Sequence, residues 1–162
     1  MSTKKHDFFD INSLIEKTKT TFGRIISIDF GTRKIGIAVS DANKQQGFPK
    51  EILFGNWNNA EKPANSILSW IKKNEVKVSG IIIGYPISNS GEKTKNCIIV
   101  EQIAETLKQA GFEVLLFDER FTTKSISSLN NSIGIKNQFN AKDDANSAMI
   151  MLNEILEMMN NN

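Results

Sequence analysis

Arg24-Ile25-Ile26-Ser27-Ile28-Asp29-Phe30-Gly31-Thr32-Arg33-Lys34-Ile35-Gly36-Ile37-Ala38-Val39-Ser40 is the stretch that decides the fold. Its first half is an apolar run that ends in an acid, which predicts a strand over Arg24 to Phe30. Gly31-Thr32-Arg33 turns the chain. The second half alternates, with Ile35, Ile37 and Val39 on one face and Gly36, Ala38 and Ser40 on the other, so the two halves read as a hairpin. Charge at the end of a buried strand is costly unless it is paired or binds metal. The chain repeats the device. Leu115-Leu116-Phe117-Asp118-Glu119-Arg120 is a second apolar run ending in acid, and Asp143-Asp144-Ala145-Asn146-Ser147-Ala148 is an acid opening a helix. Three blocks far apart thus each offer a carboxylate that one metal site can gather.

Outward from the hairpin, Lys50 to Phe54 reads as a third strand, and Ala64, Ile67, Leu68 and Ile71 space as one helix face. Val78 to Ile83 is a short continuous apolar run of the kind covered on both sides, and Gly84-Tyr85-Pro86 through Gly91 follows it as a loop. Residues 93–110 form a helix with Cys97, Val100, Ile103, Ala104 and Leu107 as its apolar stripe and Gly111 as its stop. Glu113 to Phe117 is another strand, and Thr122 to Asn130 a further helix. In the last helix Ala145, Ala148, Met149, Leu152, Ile155, Leu156 and Met159 recur at i, i+3, i+4 and i+7. The order β-β-β-α-β-α-β-α-α predicts an α/β fold. Its mixed five-stranded sheet would have three antiparallel strands, then two parallel ones, with helices on both faces. Residues 1–22 read as an N-terminal appendage with a short docked helix, and 23–160 as a single domain. Sites in such sheets form in the crevice beyond the carboxyl ends of the parallel strands, where Asp29 and Glu119 fall.

The bulk numbers narrow the classes. A chain of 162 residues, 40% hydrophobic and 23% charged, suits one globular domain. A formal charge of +2 supplies no strong global field, so nucleic-acid binding needs a local basic patch. One cysteine excludes an internal disulfide, which fits a reducing compartment. No apolar h-region follows Lys4, Lys5 and His6, so no secretory signal is expected. No apolar run approaches the roughly 20 residues of a membrane span. The single histidine, His6, lies in the appendage and argues against a Ser-His or Cys-His machine. No His/Cys cluster supports zinc, and the glycines lack phosphate-loop spacing.

The remaining chemistry belongs to the acids. Phosphodiester hydrolysis needs charge neutralised on the phosphate, a water activated and a leaving oxygen stabilised, and two divalent ions held by carboxylates do all three. Asp29 precedes Gly31, which lets a large ligand approach the backbone, and Thr32, which adds a hydroxyl. Asp118 and Glu119 lie on opposite faces of their strand, and period alone does not choose between them. Asp143 and Asp144 compete for the third place. Asp144 shares a helical face with Ala148 and Leu152 and so rides the edge of the buried stripe, and Asp143 suits an N-cap. Thr32, Arg33, Lys34, Arg120, Lys124 and Lys142 stand near these blocks to position a nucleic-acid backbone.

At these residues the sequence resembles the YqgF/RuvX family of ribonuclease H-like proteins. The carriers are Ile28 to Asp41, Gly84-Tyr85-Pro86, Asp118-Glu119-Arg120-Phe121-Thr122-Thr123, and Asp144 with Ala148 and Leu152, within residues 24–157. The resemblance implies a ribonuclease H-like fold and a two-metal nuclease using Mg²⁺ or Mn²⁺, with Asp29, Glu119 and Asp144 as metal-binding, catalytic acids. It also implies a cytoplasmic role, trimming the 5′ end of pre-16S rRNA on a ribosome precursor. A Holliday junction resolvase acting on branched DNA is the rival of like chemistry. Resolvase relatives carry an acid at the end of the strand placed at 78–83, where this chain has Gly84-Tyr85-Pro86. The family usually has Leu at Tyr85, and the 1–22 extension and the Asn-rich 130–140 segment are atypical of it. A non-catalytic nucleic-acid or ribosome-assembly module, and a fragment of an actin-like kinase, are the alternatives of different class.

Overall fold

The computed structural model describes residues 8–119 and 144–161. In chain order they form α1 (Ile11–Thr20), β1 (Arg24–Phe30), β2 (Lys34–Ser40), β3 (Gly47–Phe54), α2 (Glu61–Lys73), β4 (Val78–Tyr85), α3 (Lys95–Gln109), β5 (Val114–Asp118) and α4 (Asp144–Asn160). The strands make one sheet in the order β3-β2-β1-β4-β5. β1, β2 and β3 pair antiparallel, while β1, β4 and β5 pair parallel. This is the mixed five-stranded sheet that the hairpin and the crossovers imply.

Period-2 alternation sorts each strand between two cores. Ile26, Ile28, Phe30, Ile35, Ile37, Val39, Ile81 and Ile83 face α2 and α3. Ile25, Ala38, Ile82 and Leu115 face the other way, toward α1 and α4. β1 and β4 are apolar on both faces because helices cover both, as parallel strands require. Cys97 is fully buried in the first core, in keeping with its place on the α3 stripe.

Two strands run longer than the sequence pattern shows. β3 begins at Gly47, because Gly47, Phe48 and Pro49 pair with Ser40, Val39 and Ala38. A Cβ at Gly47 would stand 2.6 Å from Leu152 Cδ2 of α4, and the proline is tolerated on an edge strand. β4 continues through Gly84 and Tyr85, which are ladder residues opposite Phe117 and Asp118 rather than the loop expected there. Tyr85 is buried. Its hydroxyl donates to Glu101 Oε1 at 2.6 Å, and Lys93 Nζ donates to the same oxygen at 2.8 Å.

α1 packs on the α4 face of the sheet through Leu14, Ile15 and Thr18. Asp10 caps it, accepting from the Ser13 amide at 3.0 Å. Gly80 leaves the room, since a Cβ there would lie 2.8 Å from Thr18 Cγ2. The Phe8 carbonyl accepts from the Leu116 amide at 2.6 Å, satisfying the outer edge of β5. The helix expected over Thr122 to Asn130 and the loop after it lie outside the described residues. Among the described residues no helix is long and apolar enough to cross a membrane.

Candidate active site

Asp29 sits in β1 opposite Gly36 of β2. The β1–β4 pairing runs through Ile28 and Ile83, and one residue further on come Asp29 and Gly84. Asp29 is therefore flanked by a glycine on each neighbouring strand. Its neighbours in alternation are Ser27 and Ile25, so it lies on the face that carries α4. Neither neighbouring strand therefore places a Cβ beside this half-buried residue.

Glu119 follows β5 directly, and its side chain folds back over Gly84. A Cβ built on Gly84 would collide with Glu119 Oε1 and would stand 3.0 Å from its Cδ and 3.1 Å from its Cγ. Adjacent strands are about 4.8 Å apart, so the Glu119 carboxylate lies roughly one strand spacing from Asp29. The alternation in β5 separates it from Asp118. Val114 and Leu116 belong to the α3-side core, while Leu115 and Phe117 pack on the α4 side. Asp118 falls with the first set and Glu119 with the second, on the face of Asp29.

Asp144 is the first residue of α4, one turn before the fully buried Ala148. Its side chain falls outside the described part, as do all of Asp143, Arg120, Lys124 and Lys142. The direction of α4 is nevertheless fixed by its middle and its far end. Asn160 Nδ2 donates to the Lys44 carbonyl at 3.1 Å, and the Gly47 amide donates to Asn153 Oδ1 at 2.7 Å. Gly47 pairs with Ser40, whose hydroxyl accepts from the Ile25 amide at 2.9 Å, so this is the amino end of β1. Asp144 precedes Asn153 by nine residues, about 14 Å of helix, and Asp29 follows Ile25 by four, about 13 Å of strand. The start of α4 therefore comes level with the carboxyl end of β1, where Asp29 lies.

The β1–β2 turn borders the same end. The carbonyls of Thr32 and Arg33 accept from the amides of Trp57 and Gly55 at 2.8 and 3.1 Å, which fixes the turn while both side chains stay exposed. Lys34 is half-buried on the α4 face, with its ammonium 5.9 Å from the centroid of the Phe54 ring.

Two carboxylates on one face of neighbouring backbone repel each other unless a cation stands beside them. All-oxygen donors suit a hard divalent ion such as Mg²⁺ or Mn²⁺. Among the described residues no set of three His, Cys, Asp or Glu side chains gathers as a ready metal site.

The profile of the RuvX family, described as Holliday junction resolvase, matches residues 23–158. The chain belongs to this family. A relative from Rickettsia bellii, named "Putative pre-16S rRNA nuclease", is 40% identical over 84% of this chain and 87% of its own length. One of the same name from Rickettsia peacockii is 37% identical over 85% and 88%. Among solved structures, Thermus thermophilus RuvC in complex with a Holliday junction substrate matches with a TM-score of 0.53. It is 12% identical, over 84% of this chain and 94% of that one. At that identity the likeness speaks for the fold, and it is the fold that brings the carboxyl ends of β1, β4 and β5 together. The sequence pattern gave no sign that Gly84 seats Glu119. Glycine spacing in isolated strands is a weak signal, because the pairing that aligns them is non-local.

Proposed function

We propose that this RuvX member is a nuclease that hydrolyses phosphodiester bonds with Mg²⁺ or Mn²⁺ held by Asp29, Glu119 and Asp144. Its substrate is then the 5′ end of pre-16S rRNA, on a ribosome precursor in the cytoplasm. The observation that carries the proposal is the seating of the Glu119 carboxylate over Gly84, beside Asp29 and on the face of α4. The names of the Rickettsia relatives support the choice of substrate.

When bound, the divalent ions neutralise charge on the scissile phosphate and lower the pKa of a water. The chain's own part is to hold and orient. Asp29 on β1 and Glu119 just after β5 are both half-buried, with Gly84 of β4 between them, and that burial restricts how far their carboxylates swing. The third acid, Asp144, is the first residue of α4. Thr32 and Arg33, on a turn tied to Gly55 and Trp57, and Lys34 beside it, position the phosphate backbone. Arg120 and Lys142 complete that set.

A paired assay tests this. Wild-type protein and Asp29→Asn are incubated with Mn²⁺ and either an RNA carrying the pre-16S 5′ junction or a four-way DNA junction. The expected result is cleavage of the RNA by wild type and loss of at least about 100-fold in the variant. Cleavage of the DNA junction alone would move the reading to the family's described resolvase activity. Undiminished cleavage by Asp29→Asn would refute the siting of the metal.

A further inference from the structure

The end of the sheet opposite Asp29 holds a second constructed feature. Phe22, Gly23 and Arg24 lead into β1, and Asn74, Glu75 and Lys77 lead from α2 toward β4. Together they border a pocket of about 510 Å³. The Phe22 ring is 81% exposed, yet the backbone carrying it is fixed. The Arg24 amide donates to the Lys77 carbonyl at 2.8 Å. Gly23 has φ +130°, and a Cβ on it would stand 2.9 Å from Lys77 O and Ser79 N, so no other residue fits. Lys44 Nζ donates to the carbonyls of Thr18 and Thr21 at 2.5 and 2.8 Å, pinning the residue before Phe22. Lys77 Nζ stands 5.4 Å from the centroid of the Phe22 ring. One face of the ring thus meets a cation, and the other is open.

This end is also where basic residues collect. Arg24 and Lys77 border the pocket with Glu75, Lys72 and Lys73 close α2 just before it, and Asp41 lies toward Arg24, whose Nη1 donates to the Ser40 carbonyl at 3.0 Å. The Asp41 carboxylate already accepts from the amides of Gln45 and Gln46. At the pocket itself the two cations, Arg24 and Lys77, outnumber the one carboxylate, Glu75. An open aromatic face beside cations is the pairing that single-stranded nucleic acid uses, with a base on the ring and phosphates on the ammonium and guanidinium groups.

We propose that the Phe22 platform is an anchoring subsite for single-stranded RNA flanking the cleaved bond. One base stacks on the open face of Phe22, and its adjoining phosphates lie against Lys77 and Arg24. The proposal rests on the nuclease reading. Arg24 and Asp29 are five residues apart on β1, about 17 Å, a span of several nucleotides. The subsite therefore acts on substrates long enough to reach both ends of the sheet.

The test uses the full chain, a 20-nucleotide and a 4-nucleotide RNA, and the variants Phe22→Ala, Phe22→Tyr and Lys77→Ala. Binding of the labelled 20-mer is followed by fluorescence anisotropy without metal, and cleavage of both RNAs is followed with Mn²⁺. Phe22→Ala should weaken binding of the 20-mer about tenfold. It should also lower the ratio of kcat/KM for the 20-mer to that for the 4-mer by a similar factor. Phe22→Tyr, which keeps the ring, should stay within about twofold of wild type. Lys77→Ala should reduce the slope of log K against log salt by about 0.7. If Phe22→Ala binds like wild type, if Phe22→Tyr loses as much as Phe22→Ala, or if both RNAs suffer equally, the subsite is refuted. Wild-type cleavage together with any of those results leaves the nuclease reading standing. A wild type that neither binds nor cleaves RNA removes both.

Discussion

Gly84→Ala isolates the role of Glu119 without touching an ionisable group. The new methyl carbon would occupy the space of the Glu119 carboxyl, with Oε1 inside contact distance, Cδ at 3.0 Å and Cγ at 3.1 Å. Ordinary contact begins near 3.5 Å, so the carboxylate must swing away, by about 1 Å at its oxygens. The obstacle is the far end of a flexible side chain, so the fold yields cheaply. Alanine also costs a strand less backbone entropy than glycine, by about 0.5–1 kcal/mol, and the net change in stability should be within about 1 kcal/mol. Catalysis is less forgiving, because a 1 Å misplacement of a positioned group costs about 100-fold. The expected outcome is a thermal midpoint within about 3 °C of wild type, with kcat/KM on the pre-16S RNA down about 100-fold and weaker Mn²⁺ binding by calorimetry. Gly80→Ala is the matched control. Its methyl would meet Thr18 Cγ2 at 2.8 Å and Leu14 Cδ1 at 3.1 Å under α1, so it should cost about 1–3 kcal/mol of stability and little activity in the folded protein. Cleavage by Gly84→Ala within threefold of wild type would show that the Glu119 carboxylate has no part in the reaction.

Charge-neutral exchanges at the two adjacent acids should separate them: Glu119→Gln should lower cleavage by at least about 100-fold, and Asp118→Asn, on the α3 side, by less than fivefold; equal losses would defeat the face assignment. Ser27 Oγ is buried without a hydrogen-bond partner among the described residues, so Ser27→Ala should stabilise the protein by about 1 kcal/mol, read as a higher denaturant midpoint, and a loss of more than that would mean the hydroxyl is satisfied. Burial first, and then the bond to Glu101, push the Tyr85 hydroxyl well above the ordinary tyrosine range. Above about pH 10 the unfolded chain gives up this proton and the folded chain keeps it, so stability falls as pH rises from there. Tyr85 is the only tyrosine, so phenolate absorbance reads it alone. Tyr85→Phe should cost about 1–2 kcal/mol near neutral pH and abolish that part of the alkaline decline; an unchanged decline would refute it.

Much of this protein was legible along the chain. Runs of β-branched residues, the Gly31-Thr32-Arg33 turn and the 3.6-residue stripes of α2, α3 and α4 report local conformation and burial, and those are properties of short segments. They were enough to give the mixed sheet and to put Asp29 at a strand end. The ends of β3 and β4 are hidden from such signals, because Gly47-Phe48-Pro49 and Gly84-Tyr85 look like loop sequence. Their strand state comes from partners on other strands, Ser40 through Ala38 for the one and Phe117 and Asp118 for the other. The choice between Asp118 and Glu119 was likewise beyond period alone, since alternation separates two faces without saying which one is which.

By itself the sequence determined the order of elements, the buried stripes and a short set of acids, because each depends on neighbours within a few residues. Only the tertiary structure decided which acids share a face. It aligned Gly36, Asp29 and Gly84 across three strands, folded Glu119 over the last of them, and turned the start of α4 toward the same end. Those relations join residues up to more than a hundred positions apart. They are set by ladder register and helix packing, which no short stretch of sequence contains.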